Sequence, residues 1–334
     1  MRGNWIELTG ALPIPANLGT PGMPNSQAAS NAPPAIFNVK HSPAIPAANQ
    51  AVQVTASFHC AHGFQPRLLY RVDTQVDPSP TYTTVLMNDN GLSGDALAGD
   101  GIYTATIPAQ AGGTVVAFLV EAVDLTNAAQ SVFPQVLNDN SGLPRECVVV
   151  FGDPIPAGTF GHWHLWLTQN WINNWINQAG IGNGGSDATL VDGGGRIIYN
   201  IGGRYAGSPY HQYTGSPVST IGGMNLSVPD DDLMFGSHSL NKQHVPGNGP
   251  LDDNTIQREQ TCFWMARLLG VRWDYRRYYI QYVNGNRHGP LIEDSQTPDG
   301  DMLDEYFPND NNGFLYKNHG WFEFQPTSTS SNPL

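Results

Sequence analysis

Charged side chains are scarce in this sequence, at 13% of 334 residues, and only 15 Lys and Arg stand against 28 Asp and Glu. The formal net charge of -13 argues against nonspecific nucleic-acid binding, which needs clustered Lys and Arg to displace counterions. It suits a protein that binds cations, or a nucleotide through bridging metal, and it serves solubility equally well. No stretch approaches the roughly 20 apolar residues of a membrane span. No signal peptide opens the chain, because Met1-Arg2-Gly3-Asn4 runs directly into strand-like Trp5-Ile6-Glu7-Leu8, which is the expectation for a fragment. Cysteine is limited to Cys60, Cys147 and Cys262, so at least one thiol is unpaired or bonded to another chain. Cys60 and Cys147 share one β-rich half and could pair; buried free thiols are the alternative.

What is abundant is turn chemistry and apolar core, with 37 Gly, 26 Pro and 40% hydrophobic residues. That balance favours many turns and short strands, and the length suggests two or three domains. Residues 1–9 have the look of a final strand, and the Pro-, Gly- and Ser-rich run 10–35 reads as a linker. From 36 to 151 the period is two. VQVTASF (52–58), LLYRV (68–72), YTTVLM (82–87), IYTATI (102–107), VVAFLVEAV (115–123) and ECVVVF (146–151) alternate or run apolar, separated by turn residues. Strands at this spacing predict a β-sandwich of immunoglobulin or fibronectin type. Between them, Asp89, Asp95 and Asp100 lie interleaved with glycines. Carboxylates in a tightly turning backbone suit Ca2+, and Asp-Gly hairpin turns explain the same letters.

Beyond 151 the pattern changes. HLWLTQNWINNWINQ (164–178) places Leu167, Trp171, Trp175 and Gln178 on one helical stripe, with Ile172 and Ile176 beside it and Gly180 and Gly182 as stops. RIIYNIGGRY (196–205) reads as a strand. A second helix is predicted over 256–269, capped by Asn254 or Thr255, with Gln257 closing a capping box and Gly270 ending it. Strand 274–283, the turn Asn284-Gly285-Asn286 and strand 288–294 form a hairpin. Mixed strands and helices without βαβ alternation predict an α+β domain over 152–326, with a tail at 327–334.

The string VNGNRHGPLIEDSQTPDGDMLDEYFPNDNNGFLYK (283–317) carries the richest chemistry. Its hairpin ends in Glu293 and Asp294. Asp299, Asp301, Asp304 and Glu305 follow, then Asp310-Asn311-Asn312-Gly313 and Lys317. Two oxygen clusters with a cation beside the second could hold a magnesium–phosphate group. The order of hairpin, acidic loop and Asn-Gly-x-Leu-Tyr-Lys resembles the spore-coat-protein-H (CotH) kinase-like family. GGRYAGSP (202–209), PDDDLMFG (229–236) and the helix REQTCFWMARLLGV (258–271) extend the resemblance over about 160–325. WIEL and LGTPGMPNS are similar to the end of a lamin-tail domain.

The resemblance implies an extracytoplasmic protein, secreted or at the cell surface, with an atypical protein-kinase-like α+β fold. It implies binding of ATP with Mg2+ and transfer of phosphate to serines of a protein substrate. Carried over by position, Glu293 and Asp294 stand at the catalytic carboxylates, with Asp299 a second candidate. Asp310 and Asn312 stand at the metal, Lys317 closes that element, and Arg204 meets phosphates. Asn312 replaces the family's Asp, and a Lys-rich stretch is missing. A catalytically degenerate surface scaffold or adhesion module is therefore the alternative. Lesser candidates are a metal site of His162 and His164 with His211 or His238, a cation at Asp230-Asp231-Asp232, and a carbohydrate-binding row of aromatic rings.

Overall fold

The computed structural model describes residues 32–135, 141–179, 184–207, 213–234, 236–244, 255, 257–271, 276–289, 291–295, 299–311 and 313. The lamin-tail-like segment 1–9, nearly all of the 10–35 linker, the tail 327–334, Asn312, Lys317, His211, Gly180 and Gly182 lie outside these residues. The chain forms two compact units. Unit 1 comprises Met1–Asp153 with the strips Thr168–Asn170 and Gly194–Asn200; unit 2 comprises Pro154–Leu167, Trp171–Gly193 and Ile201–Leu334.

Unit 1 holds two antiparallel sheets. One has the order β1 (Ala35–Ser42), β2 (Val52–His59), β5 (Ile102–Ile107). The other has the order β4 (Thr83–Leu86), β3 (Phe64–Val72), β6 (Val115–Asp124), β7 (Gln130–Phe133), with β8 (Cys147–Val150) also paired to β6. Alternate residues turn inward as strand geometry requires, so Val52, Val54 and Ala56 of β2 are buried between exposed or half-buried neighbours. Leu68, Ala105, Ile107, Phe118 and Val120 fill the same core. β6 is nearly continuous in its burial, as the central strand with partners on both edges should be. All three cysteines are free: Cys147 is buried, Cys60 half-buried and Cys262 exposed.

Charge is also buried in unit 1. Arg71 makes a bidentate pair with Glu146, Nε to Oε1 and Nη2 to Oε2 both at 2.7 Å, while its Nη1 donates to Asp73 at 2.7 Å. The Tyr82 hydroxyl donates to Glu146 at 2.7 Å, and the second Asp73 oxygen accepts from the backbone of Gln169 at 2.7 Å. Burial works against the Arg71 charge, but these two carboxylates raise its affinity for the proton above the ordinary value.

Unit 2 corrects the expected α+β kinase-like architecture. Over both units strands hold 39% of the described residues and helices 10%, in three helices, so there is no basis for a helical lobe. Its centre is a sheet in the order β15 (Asn286–Arg287), β14 (Arg276–Val283), β16 (Ile292–Ser295), β13 (Ser239–His244), β12 (Met224–Ser227), β11 (Ile197–Tyr205), β10 (Ser186–Asp192), β9 (His162–Trp166). The free edge of β14 then pairs in parallel with β9, Ile280 opposite His162 and Val283 opposite Leu165. The ring of pairings returns on itself as a barrel, which leaves no open edge at either strand.

The predicted helix over 164–178 is displaced. His162–Trp166 is a strand buried from Trp163 onward, and the helix α1 is confined to Gln169–Ile176. Trp171, Ile172 and Trp175 still form its buried stripe. Trp175 lies so close to β11 that a Cβ at Gly203 would come within 2.5 Å of its ring. The second helix, α2, spans Arg258–Leu268 with Gln257 at its N-cap and no side-chain cap bond. Thr255 accepts from the Gln257 backbone at 3.3 Å, and Asn254, the other partner of the predicted capping box, lies outside the described residues. α3 covers Gly300–Tyr306. No helix among the described residues is long and apolar enough to cross a membrane.

Candidate functional site

The hairpin β14–β16 positions the two carboxylates singled out in the sequence. At its head, Asn284 (φ 43°) and Gly285 (φ 83°) both adopt the left-handed conformation that a two-residue hairpin turn of the right twist requires. Val283 pairs with Asn286 across that turn, and further along Arg277 stands opposite Asp294 and Tyr278 opposite Glu293. Glu293 and Asp294 are neighbours in one strand, so their side chains leave opposite faces of the sheet.

Asp294 is 0% exposed and lies beneath Arg277, whose Nε and Nη2 approach Oδ2 at 2.7 and 2.6 Å. The guanidinium sits 5.2 Å from the centroid of the Trp163 ring, which itself stacks on Tyr279 at 3.8 Å. This is a cross-strand ion pair roofed by aromatic rings. Glu293, 2% exposed on the other face, accepts from Gln260 of α2 at 3.0 Å. On that face His164 stacks on Tyr282, with centroids 5.2 Å apart.

The remaining candidates disperse. Asp299 is the N-cap of α3 and accepts from the Asp301 backbone at 3.1 Å; burial, then the Asp301 charge, raises its carboxyl above the ordinary range. Asp310 is exposed after α3, and neighbouring Asn311 donates to Asp304 at 2.6 Å. Arg204 lies on β11, half-buried, donating to the Tyr205 carbonyl at 3.3 Å. Three strand spacings separate β11 from β16, roughly 14 Å along the sheet. A magnesium–phosphate group needs carboxylates converging on one metal and a cation within reach of the phosphates. Glu293 and Asp294 diverge, with Glu293 Oε1 and Asp294 Oδ2 each held by a neighbouring side chain, so the described residues give no support for ATP with Mg2+.

Of the lesser candidates, His162 and His164 contact each other, Nδ1 to Nε2, at 2.8 Å. His238 is engaged elsewhere: its backbone donates to Asp301 Oδ2 at 2.8 Å, its ring bonds the other Asp301 oxygen, and Asp230 lies 3.8 Å away.

Asp89, Asp95 and Asp100 do come together. Each offers an oxygen within 4.8 Å of the others. Asp89 gathers the backbone N–H groups of Gly99, Asp100 and Gly101 at 2.6, 3.2 and 3.0 Å, while Asp100 accepts from Ile102 at 2.9 Å. A second cluster, missed in the sequence, joins Cys60, His62 and Asp124. The Cys-x-His spacing was visible, but its third member lies 62 residues further on.

No family model matches the chain. No curated protein matches it either.

Proposed function

We propose that this chain is a non-catalytic extracytoplasmic scaffold or adhesion module, a β-sandwich followed by a β-barrel, rather than a phosphotransferase. The observation that carries this reading is the burial of Asp294 under Arg277 in the β14–β16 hairpin. A catalytic carboxylate in phosphoryl transfer must reach the attacking hydroxyl or the metal. Here the carboxylate is spent on holding two strands together. A second support is the surface of α2 and its C-cap, where Trp264, Met265, Leu268 and the cap residue Leu269 are each more than half exposed. Large apolar side chains gathered on one short helix suit contact with another protein better than contact with water.

Calcium is the ion we assign to the Asp89–Asp95–Asp100 loop, since a hard cation takes several carboxylate oxygens from a turning backbone. It would rigidify the loop between β4 and β5, a structural part in keeping with an adhesion module. Ca2+ added to chelator-treated protein should raise the melting temperature, and Asp100→Asn should remove the increase.

Calorimetric titration of the full chain with ATP, with and without Mg2+, tests the main reading. No saturable heat is expected in either condition. Saturable, Mg2+-dependent binding that Asp310→Asn weakens would restore the phosphotransfer reading.

A further inference from the structure

The connection between β2 and β3 is four residues long and carries Cys60 and His62, with Gly63 leading into β3. Opposite it, Asp124 ends β6, paired across the sheet with Phe64. Asp124 is closed off from solvent and its two oxygens divide their work. Oδ1 accepts from the backbone N–H groups of Thr126 at 2.7 Å and Asn127 at 3.2 Å, which fixes the carboxylate plane. Oδ2 faces the loop, with His62 Nδ1 at 2.8 Å and Cys60 Sγ at 3.5 Å. The three donor atoms all lie within 4.8 Å of one another.

We propose that Cys60, His62 and Asp124 form a binding site for a borderline-soft divalent transition metal, with Zn2+ the natural occupant and water as fourth ligand.

Donor chemistry selects this class of ion. A thiolate, an imidazole and a carboxylate match Zn2+, whereas Ca2+ and Mg2+ take oxygen only. Size agrees. Ligand bonds of about 2.0–2.3 Å in a tetrahedron set donor atoms roughly 3.3–3.8 Å apart. The present separations of 2.8 and 3.5 Å need only a small opening to admit the ion in place of the shared hydrogens. The Thr126 and Asn127 amides supply the outer shell that orients a metal-bound carboxylate. His62 is 35% exposed and Cys60 half-buried, which leaves a path from solvent.

The same geometry disfavours a nucleophilic cysteine. The His62 nitrogen nearest the cluster is committed to Asp124, so it does not stand ready to take the Cys60 proton as a general base would. On binding, the Cys60 S–H bond breaks, its proton goes to solvent and the sulfur electron pair is donated to Zn2+. No electron changes hands. Thiolate and carboxylate together balance the two positive charges. The occupied site ties the β2–β3 connection to the end of β6 and so clasps one end of unit 1.

Co2+ titration of the reduced, chelator-treated full chain tests the site, because a cobalt–thiolate bond gives a near-ultraviolet charge-transfer absorption. One equivalent of Co2+ should produce the band and Zn2+ should displace it. Cys60→Ser should abolish it, His62→Gln should weaken Zn2+ binding about tenfold or more, and Cys262→Ser should leave both unchanged. Should Cys60→Ser fail to fold, protection of the Cys60 thiol from alkylation by Zn2+ in the native chain, read by peptide mapping, replaces it. No charge-transfer band in the native chain, a band that persists in folded Cys60→Ser, or a thiol equally reactive with and without Zn2+ would overturn the proposal.

Discussion

Asn284 binds both backbone groups of Leu167: its Oδ1 accepts from the Leu167 N–H at 2.9 Å and its Nδ2 donates to the Leu167 carbonyl at 2.8 Å. The turn residue thereby acts as one further rung of the β9–β14 ladder, beyond the last strand residue of β9. Asn284→Gly keeps the left-handed turn and removes only the side-chain bonds. It should cost about 1–3 kcal/mol in urea unfolding with an unchanged slope, because the buried Leu167 groups lose their partners. Asn284→Asp should cost at least as much, since two oxygens would then face each other at the Leu167 carbonyl.

The Arg71–Glu146 pair makes a different kind of prediction. Both side chains are almost wholly buried, so Glu146→Gln leaves a guanidinium with only Asp73 to balance it and a Tyr82 hydroxyl facing a weaker acceptor. A loss of about 3 kcal/mol is expected in chemical denaturation. The double variant Arg71→Met/Glu146→Leu should recover part of it, because apolar groups of similar volume need no compensation.

Much of unit 1 was legible in the sequence because its strands bury one face. The segments 52–58, 102–107 and 115–123 coincide with β2, β5 and β6 to within a residue or two. The turn at Asn284-Gly285 was equally legible, since few residue pairs tolerate two positive φ values. Unit 2 was not. His162–Trp166 is covered on both faces, so its alternation vanishes, and Leu167, Trp171 and Trp175 chance to share a helical spacing. In Ser186–Asp192 every residue before Asp192 is buried, for the same reason. Strand geometry separates Glu293 and Asp294, because neighbours in one strand point to opposite faces of the sheet. Arg277 gave no sign of its partner, because register decides which of several carboxylates a strand arginine meets.

Acid stability should be governed first by His41. Its ring is enclosed in unit 1, with Nδ1 2.6 Å from the Tyr199 hydroxyl and Nε2 3.0 Å from the Ala44 carbonyl. Burial lowers its pKa from 6.5 to about 4. Above pH 6.5 both folded and unfolded chains keep it neutral and stability is complete. Between pH 6.5 and about 4 the unfolded chain takes up a proton that the folded chain refuses, so stability falls as pH falls, by roughly 3 kcal/mol in all. Asp124, held near 2, adds a further loss below pH 4 as the unfolded chain protonates first. Urea midpoints at pH 7, 5 and 4 check this. His41→Gln should be less stable at pH 7 and markedly flatter from 6.5 to 4.

The account stands most directly on the role of Asp294, and a double-mutant cycle with Arg277 measures it. Asp294→Asn and Arg277→Met should each lower the unfolding free energy by about 3 kcal/mol, and the double variant should lose far less than the sum. A coupling energy well above 1 kcal/mol is the predicted result, because the pair is a buried strand-to-strand clasp. An Asp294→Asn variant as stable as the native chain, with no coupling to Arg277, would contradict it and return that carboxylate to service as a chemical group.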